Sequence, residues 1–191
     1  RAQDDPRLSS VTSDNFAGGR KLADFLIAGA HQRIAHIAGW EGASTQRDRE
    51  AGCMEGLEAA NQTLFARGCG EFNYERTKEV ALQMFSGAER PDAVFVANDH
   101  MAFAVMDVLR FDLRLRVPQD VSVVGYDDVA LAAWPSYNLT TVRQPAARMV
   151  EGAIEILMDR LNGRADCARQ VTLDGPLQVR GSARVPKGWP S

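Results

Sequence analysis

Two stretches decide how this chain is read: Ala93-Val94-Phe95-Val96-Ala97-Asn98-Asp99 and Val121-Ser122-Val123-Val124-Gly125-Tyr126-Asp127-Asp128. Each begins as a largely apolar run and ends on Asn or Asp side chains. An apolar run without polar alternation fits a parallel strand covered on both faces. Between them, Met101 to Leu109 has helical character, so the order is strand, helix, strand. That alternation argues for an α/β fold with a parallel sheet.

Outward from this pair the pattern continues in both directions. Ser13-Asp14-Asn15 offers capping side chains for a helix carrying Leu22, Phe25 and Leu26, which Gly29 ends. Ile34 to Ala38 reads as a short strand stopping at Gly39. Ser44 or Thr45 can cap the next helix, with Met54, Leu57, Leu64 and Phe65 on its inner face. A weaker strand or loop is expected near Glu71-Phe72, then a helix through Val80, Leu82 and Phe85. Downstream, Leu139 to Val142 is extended and Pro145 opens a long helix. Its stripe is Met149, Val150, Ala153, Ile154, Leu157 and Leu161, with Gly163 as the stop. Two short β-like stretches, Val171–Leu173 and Leu177–Val179, close the chain.

Composition narrows the function. With 191 residues the chain is one domain or two closely joined lobes. No apolar run approaches the roughly 20 residues that span a bilayer, which argues against an integral membrane protein. The balance of 22 Lys+Arg against 25 Asp+Glu gives a net charge of −3, unlike a self-sufficient nucleic-acid module. The small Arg110, Arg114, Arg116 cluster reads as a solvated helix end. Cys53, Cys69 and Cys167 are scattered, fitting a reducing cytosol and packing roles. The chain has no Gly-x-Ser-x-Gly elbow, Walker loop or His-Glu-x-x-His segment, so neither catalysis nor a metal or cofactor is expected. His36, inside an apolar strand, reads as packed and hydrogen-bonded. The helix from Met101 to Leu109 is apolar around most of its circumference. It either meets a second subunit or is buried in its own fold. The opening Arg1 to Pro6 reads as a polar loop, and the chain as a piece of a longer protein.

Right-handed crossovers put every strand's carboxyl end on one edge of a parallel sheet, where open α/β folds bind ligands. The polar residues expected there are Asp14-Asn15, Arg47, Arg49, Asn98-Asp99 and Asp127-Asp128, with Trp40 and Phe72 as aromatic faces. Asp14 and Asp99 are equally placed to cap helices, and Asp128 to make a turn. Amides, carboxylates and a guanidinium fork suit a small polyhydroxylated or heterocyclic ligand.

Several segments resemble the LacI/GalR-type bacterial transcription regulators. Val11-Thr12-Ser13-Asp14-Asn15-Phe16-Ala17-Gly18-Gly19 is similar to their V-x-x-D-N-x-x-G-G segment, and Gly29 to Ala35 to their G-H-x-x-I-A element, with Ala30 as a departure. Arg49-Glu50-Ala51-Gly52 matches R-x-x-G. Pro91 to Ala102 resembles P-x-A-V-F-x-x-N-D-x-M-A. Val117 to Asp128, Pro135 and Leu139 to Pro145 extend the match over nearly the whole chain.

The resemblance implies a periplasmic-binding-protein-like, two-lobed α/β fold with an incomplete N-terminal lobe. Residues 1–29 and 143–165 would form the partial N-terminal lobe, and 30–142 with 166–191 the C-terminal lobe. The DNA-binding headpiece would lie outside this chain. The resemblance also assigns ligand contacts to Asp127, Arg49, Asn98 and Phe72, with Asn15 or Phe16 from the first lobe. The implied function is that of a cytoplasmic, homodimeric repressor's effector sensor. It would bind a sugar or related polar metabolite that changes operator affinity. The competing expectation is a periplasmic sugar-binding protein of a transporter.

Overall fold

A computed structural model describes residues 5, 7–164 and 167–189. Apart from Asp5, the expected opening loop lies outside the described residues, as does the 165/166 boundary. The larger sheet has six strands: β2 (Ile34–Ala38), β3 (Ala66–Cys69), β4 (Ala93–Val96), β5 (Ser122–Asp127), β6 (Thr140–Arg143) and β8 (Leu177–Gln178). Their spatial order is β3-β2-β4-β5-β6-β8, with only β8 antiparallel to its neighbour. β1 (Ser10–Ser13) and β7 (Gln170–Leu173) pair in parallel as a separate two-stranded sheet.

Alternation along the strands divides the core into two layers. Ile34, Ala93, Phe95, Val124 and Tyr126 face α1 (Asn15–Ala28) and α2 (Ser44–Ala59). Ala35, Ile37, Val94, Val96 and Val123 face α3 (Tyr74–Phe85) and α4 (Asp99–Asp107). Strands β2 and β4 are buried at every residue, as the apolar runs in the sequence required.

The helix expected to end on Gly29 does so, and the Asp14 side chain caps its start by accepting from the Ala17 N–H at 2.8 Å. The next helix differs from expectation. Ala43, not Ser44 or Thr45, is the N-cap of α2, and no side-chain hydrogen bond caps it. Leu64 and Phe65 lie beyond its end, and Met54 is exposed. Its inward face is Gln46, Arg49, Gly52, Cys53, Gly56 and Leu57, which has too little apolar periodicity for a hydrophobic pattern to reveal. Glycines let α1 and α2 approach closely. A Cβ on Gly52 would overlap the Phe16 carbonyl, and one on Gly19 the Arg49 carbonyl.

Two further expectations change, and one open alternative is decided. The strand sought near Glu71-Phe72 lies earlier, at Ala66–Cys69, because the edge strand needs little apolar character. The apolar helix α4 is buried in its own fold, with Met101 to Met106 at most 4% exposed, so those residues leave no face for a second subunit. Cys167 is exposed rather than packed, whereas Cys53 is buried and Cys69 partly so, all three being free thiols. Residues 15–28 pack on α2 and the larger sheet, and residues 170–173 pair with β1.

The smaller unit is therefore β1, β7 and α5 (Ala146–Leu161), which packs against both strands. Pro145 precedes α5 and Gly163, at φ 65°, follows it, as expected. The expected stripe, however, faces outward, with Val150, Ile154, Leu157 and Leu161 all more than half exposed.

Candidate functional site

The strand order places β2 next to β4, while the chain leaves β2 toward β3 on the opposite side. Such a reversal opens a crevice at the carboxyl ends, the usual ligand position in open α/β sheets. Arg49 occupies it. α2 projects this guanidinium inward at 5% side-chain exposure. Its Nε donates to Asn15 Oδ1 at 2.9 Å, Nη1 to the Ala97 carbonyl at 2.7 Å and Nη2 to Asp127 Oδ1 at 3.3 Å. Its Cζ lies 3.7 Å from the centre of the Tyr126 ring. One fork thus ties α1, β4 and β5 together, the geometry a planar five-donor cation suits.

Asp127 ends β5 with a positive φ of 119° and remains partly exposed. The same Oδ1 also accepts from Gln144 Nε2 at 3.1 Å. Asn15 is held by donating its own Nδ2 to the Ser13 carbonyl at 3.1 Å. Burial pushes the Tyr126 hydroxyl up to about 12, against the lowering effect of Arg49. That group is a neutral phenol at neutral pH, and its O–H reaches the Asp14 carbonyl at 3.4 Å.

The remaining predicted residues are distributed unevenly. Asn98 stands beside Ala97, but its side-chain oxygen caps α4 by accepting from the Met101 N–H at 3.0 Å. Asp99 is not the cap. Fully buried, it accepts from Thr141 Oγ1 at 2.7 Å and the Val129 N–H at 2.9 Å. Burial, only partly offset by those donors, raises its carboxyl to about 7. Phe72, at φ 58°, lays its ring against Gly39 at the end of β2, where any Cβ would overlap it. Phe16 carries an exposed ring on the first turn of α1, and Trp40 is 60% exposed. Arg47 turns away to the Glu41 and Gly42 carbonyls. Asp128 is held between Arg143 Nε at 2.5 Å and Arg180 Nη2 at 2.6 Å, a structural anchor rather than a plain turn residue.

Arg49, Asn15 and Asp127 are thus brought into direct contact, with Asn98 and Phe72 at the neighbouring strand ends. Sequence reasoning missed Tyr126 and Gln144. Both lie inside stretches it had singled out, Tyr126 immediately before Asp127 and Gln144 immediately before Pro145. His36 is packed and hydrogen-bonded as expected. Among the described residues, no group of three or more His, Cys, Asp or Glu side chains is placed to hold a metal ion.

The chain belongs to the periplasmic binding protein-like domain family, whose profile matches residues 23–183. Its relatives are regulators of the LacI type, in agreement with the motifs. It is 37% identical over 180 residues to the HTH-type transcriptional regulator CelR of Thermobifida fusca, covering 92% of this chain and 52% of that protein. A solved CelR–cellobiose complex superposes with a TM-score of 0.86 at 35% identity, over 93% of this chain and 55% of the other. The lac repressor dimer bound to operator and the anti-inducer ONPF gives a TM-score of 0.85 at 28% identity, over 95% and 62%. The chain spans about half the length of the CelR regulator it matches.

Proposed function

We propose that this chain is the effector-sensing part of a cytoplasmic, dimeric DNA-binding repressor, and that its ligand is a small sugar-like, polyhydroxylated molecule. The observation that carries the reading is the buried Arg49 fork, anchored on Asn15, Ala97 and Asp127 at the strand-order reversal. A guanidinium fixed in this way is preorganised to donate, and the partly exposed Asp127 carboxylate to accept, so alternating hydroxyls are matched by both. Phe72 and Phe16 add apolar ring faces for C–H surfaces.

The two-lobe division is part of the same proposal. The chain passes between the larger and smaller units at residues 13–15, 143–146 and 173–177. These passages are joined to one another: Asp14 N–H donates to the Leu173 carbonyl, and Arg143 N–H to the Pro176 carbonyl. Gln144 lies on one of them and shares Asp127 Oδ1 with Arg49. A ligand that favours one relative lobe orientation would shift the population by its differential affinity. In a two-fold dimer such a shift would change the spacing of paired DNA-reading headpieces.

Regulator relatives favour this reading over a transporter's binding protein or an enzyme. No helix among the described residues is long and apolar enough to cross a membrane. The test is a thermal-shift titration with cellobiose, glucose and adenine. A ligand at a hundredfold excess over its Kd stabilises by about 2.7 kcal/mol. Stabilisation by a sugar, lost in Arg49→Ala and Asp127→Ala, supports the proposal. A shift of full size in both variants places the ligand elsewhere.

A further inference from the structure

Directly beneath the ligand-facing end of β2 lies a closed set of polar side chains that the Arg49 cluster does not use. Gln46 is 1% exposed and sits one helical turn before Arg49 on the inward face of α2. Its Oε1 accepts from the Gly39 N–H at 2.8 Å. Its Nε2 stands 3.1 Å from His36 Nε2 and donates to Glu50 Oε2 at 3.0 Å. His36 Nδ1 is 3.0 Å from the Phe95 carbonyl, and the imidazole stacks on the Phe95 ring at 4.7 Å. Glu50 is paired in turn with Arg67, which also reaches Glu41.

These contacts permit one protonation pattern. A carbonyl only accepts, so His36 Nδ1 carries the proton, and Nε2 receives a hydrogen from the Gln46 amide. Both amide hydrogens and the amide oxygen are then satisfied. The neutral imidazole agrees with its burial, which lowers its pKa to about 4 despite Glu50 nearby. Because α2 has no side-chain N-cap, Gln46 supplies the link from its first turns to the sheet. The link ends on Gly39, the floor for the Phe72 ring.

We propose that Gln46 is a positioning residue for the ligand site: its amide locks the end of β2 to α2, and so sets Phe72 and Arg49 in register. The inference rests on the ligand reading above for its consequence, and on the hydrogen-bond pattern alone for its first step.

The experiment measures hydrogen exchange at the Gly39 amide without ligand, and cellobiose affinity by titration, in wild type, Gln46→Met and Gln46→Glu. In Gln46→Met the side-chain volume is kept and the amide lost. The Gly39 protection factor should fall about tenfold, and affinity by a similar factor, as for one net buried hydrogen bond. In Gln46→Glu the new carboxylate faces Glu50 and the lone pair of His36. Lowering the pH from 7 to 5 lets this buried pair take up one proton, shared between the new carboxylate and His36 Nε2, while Nδ1 keeps donating to the Phe95 carbonyl. Gly39 protection should therefore recover as pH falls in this variant and show no such rise in wild type, a profile that mere loss of packing would not produce. Unchanged Gly39 protection in Gln46→Met overturns the proposal, as does wild-type affinity despite lost protection. If Gln46→Met does not fold, the Gln46→Glu profile decides alone, and a flat one overturns it. Wild type that binds no cellobiose rejects that sugar only, while the exchange measurements still decide the role of Gln46.

Discussion

Arg49 and Asp127 are 78 residues apart in the chain, yet Nη2 of one lies 3.3 Å from Oδ1 of the other across the carboxyl ends of the sheet. Neither helix nor strand periodicity links them. What joins them is the parallel topology, which seats α2 against α1 and β2 so that the Arg49 side chain reaches the carboxyl ends of β4 and β5. Replacing Arg49 by Ala removes three donated hydrogen bonds and leaves the Ala97 carbonyl and Asn15 Oδ1 buried without that partner. We expect a stability loss of about 2 kcal/mol or more, together with loss of any sugar-induced shift. Arg49→Lys keeps the charge but not the fork, so it should fold better than Arg49→Ala and still fail to respond to ligand. A Lys variant with a wild-type thermal shift would show that charge alone suffices.

The seam between α1 and α2 gives a second expectation. Gly52→Ala places a methyl group on the Phe16 carbonyl, and backbone on both sides leaves it nowhere to go. Overpacking of this kind costs about 1–3 kcal/mol, visible as a lower midpoint in urea unfolding. Gly87→Ala, where a Cβ meets nothing closer than 3.5 Å, is the control and should unfold near wild type.

Helix α4 provides a third. Met106 is fully buried, so Met106→Asp buries an unpaired carboxylate instead of splitting an interface. The variant should be largely unfolded by circular dichroism. A folded protein with only its oligomeric state altered would contradict the packing described for α4.

The fourth concerns pH. The Asp99 carboxyl is raised to about 7, so the unfolded chain ionises first as pH climbs through the ordinary carboxylate range. Between about pH 4 and 7 the folded state binds more protons at this site, and its contribution to stability declines with rising pH, levelling above 7. His36, lowered to about 4, acts in the opposite sense: its contribution is complete above pH 6.5 and lost as pH falls toward 4. The difference in melting temperature between wild type and Asp99→Asn should therefore shrink or reverse as pH rises from 4 to 7. A constant difference would exclude Asp99 as the titrating group.

Legibility in the sequence followed the apolar pattern. β2, β4 and β5 are buried through nearly their whole length, and their residues announce it. Helix α1 was readable from Asp14 at one end and Gly29 at the other. Arg49, Asn15 and Asp127 were reachable as a set because topology collects strand ends. By contrast, α2 turns Gln46 and Arg49 inward and meets α1 through glycines, so hydrophobic spacing describes the wrong face. β3 is an edge strand of Ala, Arg, Gly and Cys, without the β-branched residues that mark an interior one. The partnership of β7 with β1 joins residues about 160 positions apart, and no local signal carries it. The hydrogen bond that gives Asn98 its capping role is local, but the same residue type serves equally as a cap or a ligand contact.

The glycine seam has a consequence for how specificity can change over time. Gly19, Gly52 and Gly56 fit α1 and α2 so closely that Asn15 and Arg49 ride on a single rigid body. Substitutions there disturb the frame before they disturb recognition. Phe16, Trp40 and Phe72 stand at the rim with substantial exposure, and no hydrogen bond of the frame depends on their side chains. On the proposed ligand reading, new preferences would be acquired at these three positions while the polar anchor and its stability are inherited unchanged.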